Sequence, residues 1–392
     1  MIDIDLLIVF FIKNLKRNII LNLFLMIQPF VKKDMYLLYD MLLQNNTECI
    51  ECYSLFMYMQ KHGIKSKYII NSNNCSFEKI KEETKLKNVI VINNINEIYT
   101  KIFLSLLKTH SILSSFGIKT FDVFFKQNKY INHIFLEHGI TYLKPVVKNS
   151  FTPAEYDFFV ITSSQEEKTL LSLSKWQAKN IIKTGLPRLD TLTRKFSNQK
   201  SIFIMFTLRN CVHNYSSDSY YIHKLLEFIT NTRLLNILKQ YNIKLKIGLH
   251  YYISDKILPH IKSYASDIIE IIEQNDISKN IETSDLYITD FSSVAFSFMY
   301  INTPVIFYRL DADCKDTNYL EKEYINYAKT KDVTLYNVFY SLSQTIDKIE
   351  YYIKNNFVLE EEFIRINTSF FDYAERGHIA QNLIIQLENL KQ

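Results

Sequence analysis

Short β-branched and aromatic runs alternate with longer amphipathic stretches along most of this chain, and that alternation predicts its secondary structure. Runs at 36–40, 67–70, 89–92, 111–115, 134–136, 158–162 and 181–184 read as strands. Between them, 48–62, 77–86, 96–108 and 165–173 carry apolar residues at helical spacing. A polar stretch at 194–201 breaks the pattern, which restarts with strands at 202–207, 244–249, 267–270, 286–289 and 305–308. Helical stretches at 222–241, 277–282 and 294–300 separate these, and the tail from 333 onward reads as helical. Strands alternating with helices imply parallel sheets. Two such blocks in tandem predict an α/β protein of two Rossmann-like domains facing a cleft. The expected divisions are an apolar and basic N-terminal segment (1–33), a first domain (34–195), a second domain (200–355) and a helical tail (356–392). A length of 392 residues agrees with two cores, because single cores stop growing near roughly 250–300 residues.

Composition changes this picture only a little. With 47% hydrophobic and 22% charged residues the chain can bury ordinary cores, which excludes a disordered protein. The net charge of +5 favours anionic ligands but is too mild and too dispersed for a nucleic-acid binder. The five cysteines, Cys49, Cys52, Cys75, Cys211 and Cys314, are irregularly spaced and read as free thiols of a reducing compartment rather than a metal or disulfide framework. No signal peptide is evident, and no run reaches the roughly 18–20 apolar residues that span a bilayer. Residues 6–12 and 19–30 are apolar and are joined by Lys13, Lys16 and Arg17. They fit either a surface lying on a membrane or a helix packed into the core.

Ligands of open parallel sheets bind beyond the carboxyl ends of the strands, so residues just after strands are the candidates. His138 follows one strand, Gly139 lets backbone approach a ligand, and Thr141 and Lys144 lie close behind. Imidazole titrates near neutral pH and can take a proton from an attacking hydroxyl. Taken alone, a His-Gly pair more often fixes a loop. The run Gly185-Leu186-Pro187-Arg188-Leu189-Asp190 is a tight loop. It offers either a guanidinium for phosphate, with Asp190 orienting it or capping a helix, or a surface pair. His250 ends a strand of the second block, and Arg209 follows that block's first strand. In Thr289-Asp290-Phe291-Ser292-Ser293-Val294 a strand ends at an acid and two serines open a helix, which makes a cradle for pyrophosphate or a simple N-cap.

In this order the elements resemble the CDP-glycerol glycerophosphotransferases that build teichoic-acid-like and capsule polymers. That family shows Trp-His-Gly-Thr, Gly-x-Pro-Arg-x-Asp, Pro-Thr-x-Arg, Lys-x-His-Pro and Thr-Asp-Tyr-Ser-Ser-Val elements. The counterparts here are 137–140, 185–190, 206–209, 246–251 and 289–294. Glu137 stands in place of Trp, Phe206 and Leu208 in place of Pro and Trp, and Tyr251 in place of Pro. Lys246 lies two positions further upstream, and Ser297 stands where the family often has Asp.

The resemblance implies a GT-B fold, with an acceptor-side first domain and a nucleotide-donor second domain. It implies transfer of a polyol phosphate, glycerol phosphate first, from a CDP-activated donor to the hydroxyl of a growing polymer or lipid-linked acceptor, releasing CMP. His138 and His250 become the catalytic candidates. Arg188, Arg209, Thr289, Asp290, Ser292 and Ser293 become the phosphate and nucleotide candidates, with Gly139, Thr141, Lys144, Gly185 and Asp190 supporting. No metal or further cofactor is implied. The expected location is cytoplasmic, with peripheral contact at the inner membrane face as an open option. The rival readings are a GT-B glycosyltransferase using a nucleotide sugar and a non-catalytic scaffold.

Overall fold

The computed structural model describes residues 17–40, 50–93, 97–115, 130–143, 155–207, 220–249, 254–272, 276–314 and 322–390. The chain forms two compact units. The first comprises Met1–His138, Val147–Thr191 and Tyr373–Gln392; the second comprises Gly139–Val146 and Leu192–Asp372.

The first unit is built on a seven-stranded sheet: β1 (Met35–Tyr39), β2 (Ser66–Asn71), β3 (Val89–Ile92), β4 (Thr109–Ser114), β5 (Asn132–Phe135), β6 (Phe158–Ile161) and β7 (Ile181–Lys183). Its order is β3-β2-β1-β4-β5-β6-β7, and every neighbouring pair is parallel. The strand order reverses between β1 and β4. Central strands covered on both faces must be apolar throughout, and β1 is buried at every position. One face packs on a core around Leu37, Phe135 and Phe159, the other on a core around Phe56, Tyr68 and Leu113.

Local chemistry sets the helix starts. Ser163 accepts the Glu166 N–H at 3.2 Å as N-cap of the helix Ser164–Leu173, and the Glu166 carboxylate ties down the residue before the cap by accepting the Thr162 N–H at 2.8 Å. The helix Arg17–Ile27 buries Phe24 against Phe103, their ring centroids 6.0 Å apart, so one side of the N-terminal apolar segment packs into the core. Cys52 is buried, with its Sγ donating to the Leu113 carbonyl; Cys49 lies outside the described residues.

The second unit holds β8 (Ser201–Ile204), β9 (Lys244–Gly248), β10 (Ile269–Ile272), β11 (Leu286–Thr289), β12 (Val305–Tyr308) and β13 (Val338–Phe339). They form a parallel sheet of order β10-β9-β8-β11-β12-β13, reversing between β8 and β11. The fold is α/β of the expected two-sheet kind. Two local expectations fail. The single helix expected at 222–241 is two, Tyr220–Ile229 and Thr232–Gln240, because the Asn231 side chain accepts the Leu234 N–H and starts a new helix. The tail expected to be helical from 333 contributes β13 first, two residues too short to show a periodicity. Among the described residues no helix is long and apolar enough to cross a membrane.

Candidate active site

In the first unit the chain leaves β5 through Leu136, whose N–H donates to the Ser114 carbonyl at 2.8 Å, and reaches Glu137 with φ at 62°. A left-handed backbone is costly for a residue with a Cβ and marks a loop held by its surroundings. Glu137 is buried, and its Oε2 accepts the His138 N–H at 3.2 Å and lies 3.3 Å from His138 Nδ1. The His138 side chain is 44% exposed. A histidine with one nitrogen beside a carboxylate and its ring open to solvent is suited to move a proton.

The strand-order reversal of this unit is filled from within. Asp40, directly after β1, is fully enclosed. Its carboxylate accepts the Cys52 and Tyr53 N–H groups at 3.1 Å each, the Tyr68 hydroxyl at 2.9 Å and the Ser115 hydroxyl at 2.5 Å. The helix Glu51–Lys61 therefore has its first N–H groups satisfied by the protein's own acid, since Ile50 at its N-cap has no side chain to do so. Burial pushes the Asp40 carboxyl up despite these donors. Glu51 is buried as well; burial raises its pKa to about 8, the charges of Asp40 and Glu137 add to that, and Arg188 opposes it.

Arg188 lies in the 3₁₀ turn Pro187–Thr191, is 7% exposed, and ion-pairs with Glu51 through Nε. Its guanidinium thus serves the interior of the first unit. Gly185, with φ at 90°, is required for close approach: a Cβ there would sit 2.8 Å from that of Ala374. Asp190 caps a helix, but a distant one, accepting the Ala380 N–H at 2.9 Å at the start of Ile379–Asn389.

In the second unit the reversal point is tied by hydrogen bonds between β8 and β11. The Thr289 hydroxyl donates to the Met205 carbonyl at 2.7 Å, and the Tyr287 hydroxyl donates to the same oxygen at 3.0 Å. Asp290 is buried and accepts the Thr207 N–H at 2.9 Å and the Phe291 N–H at 2.7 Å. Arg309, immediately after β12 and 2% exposed, donates Nη1 to the Asp290 carbonyl and pairs with Asp332. Thr289 and Asp290 are therefore frame, holding the turn that follows. In that turn Ser292 is buried, its Oγ accepting the Val294 N–H at 3.3 Å and its carbonyl accepting the Ala295 N–H at 3.2 Å. Ser293 is half-buried, its carbonyl accepting the Phe296 N–H at 3.1 Å. The helix proper is Ala295–Tyr300, so the serines form the turn before it rather than its first residues.

The residues after His138 belong to this second unit. A Cβ on Gly139 would lie 2.7 Å from Ser293 Oγ, so glycine is what lets the loop touch the serine turn. Thr141 is buried, and Tyr142 fastens the loop. The Tyr142 hydroxyl lies 2.8 Å from Thr334 Oγ1, its ring meets Phe370 edge-on at 5.1 Å, and Lys331 Nζ sits 4.6 Å from its centroid.

His250, Arg209 and Lys144 lie outside the described residues. The sequence reading missed Asp40, Glu51 and Arg309. Asp40 and Arg309 stand directly after strands, the same signal that singled out His138 and Asp290.

Residues 21–387 match the family model described as CDP-Glycerol:Poly(glycerophosphate) glycerophosphotransferase. The chain is 27% identical over 364 residues to the minor teichoic acid biosynthesis protein GgaB of Bacillus subtilis, covering 86% of this chain and 38% of that protein. It is 24% identical over 248 residues to the teichoic acid poly(glycerol phosphate) polymerase of Bacillus spizizenii, covering 60% of this chain and 59% of that one. It spans less than two thirds of the length of either relative. Among solved structures, the wall teichoic acid polymerase TagF aligns with a TM-score of 0.63 at 16% identity over 95% of this chain and 94% of that one. The UDP-GlcNAc 2-epimerase of Neisseria meningitidis, bound to UDP-GlcNAc, aligns with a TM-score of 0.53 at 15% identity over 91% and 99%. These structural likenesses establish the GT-B-type fold.

Proposed function

The chain belongs to the CDP-glycerol:poly(glycerophosphate) glycerophosphotransferase family, and on that premise we propose that it transfers glycerol phosphate from CDP-glycerol to the terminal hydroxyl of a cell-surface polymer. The acceptor oxygen attacks the phosphorus that carries the glycerol, the bond from that phosphorus to the bridging oxygen breaks, and CMP leaves. His138 takes the proton of the attacking hydroxyl. His250 and Arg209 offset charge on the transferring group, and the Ser292–Ser293 turn holds the pyrophosphate. Arg188 stays with Glu51 as a support of the His138 loop. The observation that supports this reading is the close approach of Gly139, the residue after His138, to Ser293 within the second unit. Membrane association would be peripheral. The segment around the helix Arg17–Ile27 exposes Met26 and Phe30 beside Lys32.

The deciding experiment measures CMP release from CDP-glycerol and CDP-ribitol onto a short polyol-phosphate acceptor. His138→Ala is expected to lower turnover by about 10²–10⁴-fold while remaining folded. Near-normal turnover removes the base assignment. No CMP from either donor, with sugar released from a UDP- or GDP-sugar, replaces the reading with a glycosyltransferase. Phe30→Ser is expected to weaken binding to anionic vesicles; unchanged binding removes the peripheral contact.

A further inference from the structure

At the amino ends of the first unit's strands, one strand length from the His138 loop, is a cavity of about 550 Å³. Lys32 lies on the approach to β1, Lys65 and Lys67 enter β2, and Lys108 ends the helix Ile98–Lys108 just before β4. Parallel strands bring their amino ends to one edge, so this edge is opposite the one where the catalytic candidates stand. Four lysines line the cavity against one carboxylate, Asp34. Lys65 ion-pairs with Asp34 and, by that bond, holds its carboxyl below the usual range; Lys32 and Lys108 act in the same direction. The Lys67 ammonium is fixed by the Ser105 hydroxyl at 3.0 Å. Among the described wall residues four ammonium groups stand against one carboxylate, so the wall is basic.

The rest of the wall specifies the ligand. Ser66, Asn88 and Ser105 make the rest of the wall polar, Ser66 and Asn88 bonded to Gln60 and Ser105 to Lys67, and Met35 and Leu104 are aliphatic. Among the described wall residues there is no aromatic ring on which a nucleobase could stack. A concave wall also fits a flexible chain better than the plane of a bilayer, which suits the protruding Phe30.

We propose that this cavity binds the phosphodiester backbone of the polyol-phosphate acceptor at repeats behind its reacting end. This rests on the transferase reading above. A grip on earlier repeats raises the effective concentration of the chain terminus at the catalytic edge and favours long acceptors over short ones.

The test is a donor-free titration of the full chain with a synthetic glycerol-phosphate hexamer, with inorganic phosphate and with phosphatidylglycerol vesicles as the other probes. Lys32 and Lys108 are exposed, so the Lys32→Gln/Lys108→Gln double variant should fold. It is expected to bind the hexamer about tenfold more weakly and with a shallower salt dependence. It should raise KM for the hexamer while CMP release onto a single glycerol phosphate is unchanged. Hexamer binding equal to wild type overturns the proposal. So does inorganic phosphate binding as tightly as the hexamer, or a loss confined to the vesicles. A wild type that grips the hexamer through these lysines yet releases no CMP from any CDP-alcohol would sink the transferase reading and leave the cavity assignment standing.

Discussion

The two units share a topology but use its most valuable position differently. Each sheet reverses its strand order once, between β1 and β4 in the first and between β8 and β11 in the second. An acid follows the strand at each reversal, Asp40 in one and Asp290 in the other. In the first unit the carboxylate sits on the N–H groups that open the helix Glu51–Lys61, and a second acid, Glu51, is sealed in behind it. A helix start already capped by an anion has little left to offer a phosphate. In the second unit Asp290 turns inward to Thr207 and Phe291, and Ser293 stays half-exposed in the turn beyond. The same architecture thus gives one unit an end stoppered by its own acids and the other a turn whose second serine stays half-exposed.

The contrast can be broken most forcefully at Arg188. Arg188→Met removes the partner of a buried carboxyl, and a loss of about 1–3 kcal/mol in unfolding free energy is expected in a urea titration. If the arginine instead serves the donor phosphates, the variant will keep its stability and raise KM for the CDP-alcohol. A finer comparison sets one serine of each unit against the other. Ser293→Ala is expected to raise the donor KM by about five- to tenfold with unfolding unchanged, whereas Ser115→Ala removes a bond to Asp40 and costs about 1 kcal/mol of stability with KM unchanged. Equal effects of the two on KM would erase the distinction between the sites.

A further expected effect is on pH dependence. A carboxyl raised in the folded state keeps its proton while the unfolded chain has released it. The stability linked to Glu51 is therefore fully present below its ordinary value of 4.5 and declines as pH rises towards about 8. Glu51→Gln should flatten that decline, read as Tm against pH across the window. An unchanged slope would mean that Glu51 is ionised throughout.

Much of the fold could be read in advance because each strand is a local event. The runs 89–92, 286–289 and 305–308 coincide with β3, β11 and β12, since a short β-branched run between polar stretches has one reading. The positions of the His138 loop and the serine turn were legible for the same reason, each standing just after a strand. Pairings over long distances were not. Nothing near Arg188 in sequence announces Glu51, and nothing near Asp190 announces the helix Ile379–Asn389 that it caps. The sequence reading treated the Gly185–Asp190 loop as a phosphate grip or a surface pair; in the structure Arg188 is buried beside Glu51 and Asp190 caps the helix Ile379–Asn389.

The helix Ile379–Asn389 has a consequence for how the protein is made. Leu383 and Leu387 are fully buried in the core that also holds Phe56 and Tyr68, and the Tyr36 hydroxyl donates to Glu388 at 2.6 Å. The strands of the first sheet therefore precede in the chain a helix that forms part of their cover, and that cover is incomplete until the helix has been made. The second unit, all of whose residues come earlier than that helix, can close first. The unit whose strands come first in the sequence is thus completed only after the residues of the other have been made.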